Sequence, residues 1–236
     1  MTDPIHTEEY KDLTIKIYPD YDSNNDHDEE FTSYENAGWH TYGRLNGYNL
    51  FQEEGRSTQW LPHIFDMYNA EIIAKYPSLS FSNYLEDYED PDYSGAPYDR
   101  DKAEALIEKW INNNLEYLPI YVYQHSGITM STGSYACPWD SGHAGYIFAS
   151  HTEIKKRYMK KKYTKALEAT AQAGMKSWIK YLAAICEGSI YGYTIENKDG
   201  EQLESCWGFV ETEYPIEKTY VYQEAMEGAK HLWRHL

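Results

Sequence analysis

Apolar and polar residues alternate over 13–18, LTIKIY, which is the period of a strand with one buried face. The next stretch, PDYDSNNDHDEE, breaks that rhythm with Pro, Asn, Ser and Asp, whose side chains compete for backbone hydrogen bonds, and it reads as a loop. Residues 31–60 are aromatic and punctuated by glycine, which suits short irregular strands joined by turns such as Leu45-Asn46-Gly47. The spacing then becomes helical. Ile64, Phe65, Tyr68, Ile72 and Ile73 predict a helix over 61–75 ending near Tyr76-Pro77. Ala103, Leu106, Ile107, Trp110 and Ile111 predict a second over 99–114, with Asp99 or Asp101 at its start.

LPIYVYQ, 118–124, is a continuous run of β-formers, as expected of a central buried strand, and 128–130 and 144–149 read as further strands. From His151 to about Glu187 there is no proline, and apolar residues recur at 154, 158, 167, 171, 175, 178, 182 and 185. One long helix interrupted near Gly174 is predicted there. SIYGYTIE and EQLESCWGFV flank Asn197-Lys198-Asp199-Gly200, a strong hairpin signal, and a last helix is predicted from about Ile216 to Leu236. This order lacks regular βαβ alternation. It predicts an α+β fold, a mainly antiparallel central sheet covered by helices, with one long helix in the C-terminal half. No linker demands a division, so 1–236 is expected to form a single domain.

Charge changes the picture. Residues 1–100 carry 21 acids and 6 bases, net −15, whereas 101–236 carry 17 acids and 15 bases, net −2, of a total of −17. Such an acidic half repels a polyanion, so direct nucleic-acid binding is not expected and a partner with a basic surface is. The 25 tyrosines add large contact area with polar tips, the kind of side chain that interfaces favour. The 3 cysteines contain no CxxC pair, so neither a disulfide framework nor a zinc ribbon is suggested. MTDPIHTEEYKD is unlike a signal peptide, and no apolar run reaches the roughly 18 residues of a membrane span. A cytoplasmic protein making no membrane contact is expected.

Several clusters offer chemistry. Asp20, Asp22, Asn24, Asp26 and Asp28 recur at alternate positions, like the first half of an EF-hand loop, and offer weak divalent-cation binding. Asn25 stands where such a loop wants Gly, and Phe31 where it wants Glu, so no dedicated cofactor is expected. His125, Cys137, Asp140 and His143 fall within 20 residues and contain the types needed for a thiol nucleophile, its base and an orienting acid, or for a metal. Their spacing matches no standard zinc or nucleophile motif. Gly127, Gly133, Gly142 and Gly145, with Ser126, Ser131, Ser134 and Ser141, favour instead a hairpin whose glycines supply positive φ or close approach. Lys155, Lys156, Arg157, Lys160, Lys161, Lys162 and Lys165 crowd the start of the expected long helix, where they oppose its dipole. Neutralising acidic loops of the same molecule or a neighbour is the favoured use, and homo-oligomers follow from the second case.

The blocks IYPDYDSNN, LPIYVYQHSGITMSTGSYACPWDSGHAGYIF, GSIYGYTIENKDG and ESCWGF, in this order, resemble a family of small proteins encoded by bacteriophages and other bacterial mobile elements. The matching positions are Asp20, Asp22, His125, Ser126, Gly127, Cys137, Pro138, Trp139, Asp140, Ser141, Gly142, Cys206, Trp207 and Gly208. Against that pattern the chain carries an acidic, Tyr-rich insertion at about 29–100. The resemblance carries over no catalytic residues. It implies a small accessory protein in the bacterial cytoplasm that inhibits a host enzyme or defence protein. Within the insertion, Glu86, Asp87, Tyr88, Glu89, Asp90, Asp92 and Tyr93 are the expected partner-binding residues, suited to an Arg-rich surface. The alternatives are a small-molecule or nucleotide hydrolase built on 125–143, and a structural or assembly protein.

Overall fold

The computed structural model describes residues 3–22, 38–45, 48–49, 59–77, 84, 100–125 and 127–235. It has the expected α+β class, with mixed helices and antiparallel sheets. The chain divides into two compact units, one made of 1–33, 121–143 and 176–236, the other of 34–120 and 144–175.

The first unit is built on strands β1 (His6–Tyr10), β2 (Leu13–Pro19), β8 (Ile190–Asn197) and β9 (Gln202–Val210), all antiparallel in the order β1-β2-β8-β9. The alternation in LTIKIYP sends Leu13, Ile15 and Ile17 to one face, where they meet Tyr193 and Ile195. Helix α5 (Tyr220–Trp233) closes that face with Val221, Ala225 and Ala229, and the side chain of Thr219 caps its start. The hairpin turn is organised by Asn197, whose Oδ1 accepts the N–H groups of Asp199 and Glu201. A short strand β6 (Ile128–Ser131) pairs antiparallel with the end of β5 (Leu115–Gln124).

The second unit contains β3 (His40–Leu45), β4 (Tyr48–Asn49), β7 (Ser141–Ser150) and the first part of β5, in the order β4-β3-β7-β5. Helices α1 (Trp60–Lys75) and α2 (Arg100–Asn114) supply the apolar stripes seen in the sequence, and Ile64, Ile72, Ile107 and Trp110 form a core with Phe148. Pro62 is tolerated because the first turn of α1 has no use for its amide hydrogen. Tyr68 leaves helical geometry, at φ −120° and ψ 24°, and kinks α1.

The single helix expected over 151–187 is two. Helix α3 (His151–Arg157) is separated by 158–164 from α4 (Lys165–Cys186), and Gly174 lies inside α4 rather than at a break. The start of α3 is a capping box between Ser150 and Glu153. Its end is a Schellman turn: Lys160 N–H bonds Lys155 O, Met159 N–H bonds Lys156 O, and Met159 adopts φ 52°. Lys155, Lys156 and Arg157 therefore occupy the last turn of a helix, where they favour its dipole instead of opposing it. Strand β1 was not expected from the pattern; HTEEY shows polar residues at most positions because an edge strand buries little.

Candidate functional site

The structure brings three of the four residues of the proposed hydrolytic centre together. Strand β5 ends at Gln124, whose N–H bonds Asp140 O at 2.7 Å, so the turn before β7 is pinned beside His125. Ser141 donates its hydroxyl to Cys137 O and fixes the same turn. Asp140 Oδ2 then lies 3.4 Å from His125 Nδ1 and 3.6 Å from Cys137 Sγ. His143 packs edge-on against Tyr121, with ring centroids 5.5 Å apart.

The order of these groups decides what they can do. Thiol catalysis places the imidazole between sulfur and carboxylate, so that the ring takes the thiol proton and the acid orients the ring. Here the carboxylate stands between thiol and imidazole. The His125 and Asp140 side chains are 68% and 38% exposed, so water competes for their contact and screens it. Among the described residues no group of three or more His, Cys, Asp or Glu side chains is arranged to hold a metal ion. The exposed Trp139 crowns the turn.

The glycines of this stretch do less than their number suggests. Gly127, Gly133, Gly142 and Gly145 are not among the glycines with positive φ, so of the two expected uses, positive φ or close approach, the second is the one found. Only Gly145 is required sterically: it faces Gly43 across β3 and β7, and a Cβ there would collide with the carbonyl of Tyr42.

The acidic run near the start is placed in part. Asp20 is buried, and its Oδ2 accepts Gly208 N–H at 3.0 Å. Asp22 is exposed, while Asn24, Asp26 and Asp28 lie outside the described residues. The expected partner-binding residues Glu86, Asp87, Tyr88, Glu89, Asp90, Asp92 and Tyr93 lie outside them as well.

The second unit holds a polar network that sequence reading missed. Glu153 accepts hydrogen bonds from Tyr68 Oη at 3.0 Å and Ser150 N at 2.6 Å, and its other oxygen lies 3.0 Å from His40 Nε2. Burial alone would push the carboxyl up, but the bonds from His40 and Ser150 outweigh it and hold it at about 2. Beside it His63 packs on Tyr42 and edge-on to Phe148, and burial lowers it to about 4. The only sequence signal for this network was Ser150 three residues before Glu153, a capping-box spacing.

The basic cluster also resolves. Arg157 stacks on Trp39, 4.4 Å from the ring centroid. Lys155, Lys156, Lys160, Lys161, Lys162 and Lys165 form no ion pair among the described residues, and most of the acidic loops expected to face them lie outside those residues.

Cys186 is part-buried and its thiol is pushed up to about 11 by burial and by the neighbouring Glu187, which marks it as a structural cysteine. Among the described residues no helix is long and apolar enough to cross a membrane. No family model matches the chain, and neither a curated protein nor a solved structure matches it.

Proposed function

We propose that this is a non-catalytic accessory protein of a bacteriophage or mobile element that acts in the host cytoplasm. Its acidic half binds and inhibits a host protein with a basic, nucleic-acid-binding surface. The observation that carries this reading is the segregation of charge: net −15 over residues 1–100 against −2 over the remainder. Clustered carboxylates interleaved with Tyr offer charge-assisted bonds and stacking to arginines, and they steer association with a basic partner. The order thiol, carboxylate, imidazole at Cys137, Asp140 and His125 supports a binding role over a hydrolytic one. Host pull-down with the wild-type chain tests it. A stoichiometric protein partner is expected, with binding that weakens with salt and is lost when Asp87, Glu89, Asp90 and Asp92 are changed to Asn or Gln. Binding that survives those changes overturns the assignment of the surface.

A second reading has its own observation. Six lysines between 155 and 165 form no ion pair among the described residues, and the acidic segment of a neighbouring copy is a complementary surface. That reading is assembly by self-association. It requires a mass above 27.6 kDa that falls to the monomer as salt is raised, and a salt-independent monomer by light scattering removes it.

A further inference from the structure

The first unit contains a cleft of about 540 Å³, within the range of roughly 300–1,000 Å³ usual for small-ligand sites. One wall is the second part of α4, whose residues Lys176, Ile179, Lys180 and Ala183 form a single stripe that Glu187, just past the helix end, continues through its N–H bond to Ala183 O. The opposite wall is the segment after β9, with Glu211 and Glu213. The floor is apolar, with buried Met130, Ile179 and Ala183.

The charges in this cleft are sorted by position. Lys180 and Glu213 bridge the two walls at 2.7 Å and cancel. Lys176 has no ion-pair or hydrogen-bond partner among the described residues. At the other end stand Glu187, which accepts the hydroxyl of Thr129, and Glu211, whose backbone N–H bonds Ser189 O only two residues beyond Glu187. Glu211 is a carboxylate with 7% exposure, and its Oε1 accepts Val221 N–H at 2.5 Å. The helical rise, continued one residue past the end of α4 to Glu187, sets Lys176 and Glu187 about 16 Å apart along the helix axis.

A purely anionic ligand meets two carboxylates here, and a purely cationic one meets Lys176. A molecule bearing an ammonium at one end and a carboxylate at the other satisfies both poles. Three extended residues span about 10 Å, and the Lys and Glu side chains cover the rest. From this geometry we propose that the cleft binds a short peptide with free termini. The ammonium faces Glu187 and Glu211, the carboxylate faces Lys176, and small side chains rest on the Met130 floor. This site is independent of the acidic segment invoked above.

Calorimetric titration of the full chain with trialanine, N-acetyl-trialanine and trialanine amide tests the proposal. The free peptide is expected to bind, and each cap to weaken binding about tenfold. Lys176→Met should make the free peptide and its amide bind alike. Glu187→Gln and Glu211→Gln should make the free and acetylated peptides bind alike. Glutamine at 211 retains an oxygen for Val221 N–H, and Lys176 is exposed, so thermal unfolding should confirm folded variants. No heat from trialanine at millimolar concentration overturns the proposal, as does indifference to either cap. It also falls if the preference for a free carboxylate survives in folded Lys176→Met.

Discussion

Asp20 Oδ2 accepts the backbone N–H of Gly208 at 3.0 Å, across 188 positions of sequence, and fastens the end of β2 to β9. Gly208 sits at φ 85°, where β9 places Trp207 and Gly208 against Gly192 in a bulge. The carboxylate therefore positions a bulged strand from a buried site. Removing it in Asp20→Ala leaves the amide without its acceptor and is expected to cost about 1–3 kcal/mol. Asp20→Asn keeps an oxygen acceptor and should lose less. Urea unfolding midpoints of the two variants check this, and equal midpoints for wild type and Asp20→Ala would show the bond contributes nothing.

The contact of β3 with β7 depends on Gly145. A methyl group there meets the Tyr42 carbonyl, so Gly145→Ala must push the strands apart and is expected to lose about 3 kcal/mol. Gly127→Ala and Gly142→Ala add a methyl group to open space and should fall within about 0.5 kcal/mol of wild type. Thermal unfolding of the three separates a steric requirement from a merely Gly-rich composition.

Met159 ends α3 in the left-handed region and is 91% exposed, so its side chain gives little packing in return for the strain. Met159→Gly removes the Cβ clash at a position where helices favour glycine. A gain of about 0.5–1 kcal/mol is expected. A lower melting temperature in this variant would mean the side chain makes a contact that outweighs the strain.

Much of this architecture was legible from period alone. Helices α1 and α2, strand β2 and the β8–β9 hairpin follow the spacing of apolar residues and the Asn197-to-Gly200 turn. The break at 158–164 was not: Ile154 and Tyr158 share a helical face, but Leu167 comes nine residues after Tyr158, half a turn out of phase, and with no proline between them to mark a stop the Schellman turn is made by backbone bonds. Neighbouring cations there repel one another in a continuous helix, a cue that periodicity ignores. The cluster of His125, Cys137 and Asp140 was legible as composition, since all three lie near one turn. Their order was not, because it depends on which side of the turn Asp140 projects. Asp20 with Gly208, and Glu153 with His40 and Tyr68, join residues far apart in sequence, so no local pattern encodes them.

Acid should unfold the second unit in two stages with different owners. Burial holds His63 at about 4 against an ordinary 6.5, with Asp66 opposing the shift and His40 adding to it. Above pH 6.5 the ring is neutral in both states. As pH falls from 6.5 towards 4 the unfolded chain takes up a proton that the folded chain resists, so stability declines, by up to about 3 kcal/mol. Glu153 acts lower. Its folded value of about 2 lies below the ordinary 4.5, so its contribution is complete above pH 4.5 and is lost as pH falls towards 2. His63→Phe keeps a ring against Tyr42 and Phe148 and is expected to flatten stability between pH 6.5 and 4 while leaving the lower limb. Glu153→Gln should do the reverse, and should also lower stability near neutrality because His40, Tyr68 and Ser150 lose a charged acceptor. Urea midpoints measured across this pH range resolve the stages. An upper limb of unchanged slope in His63→Phe would place the titrating group elsewhere.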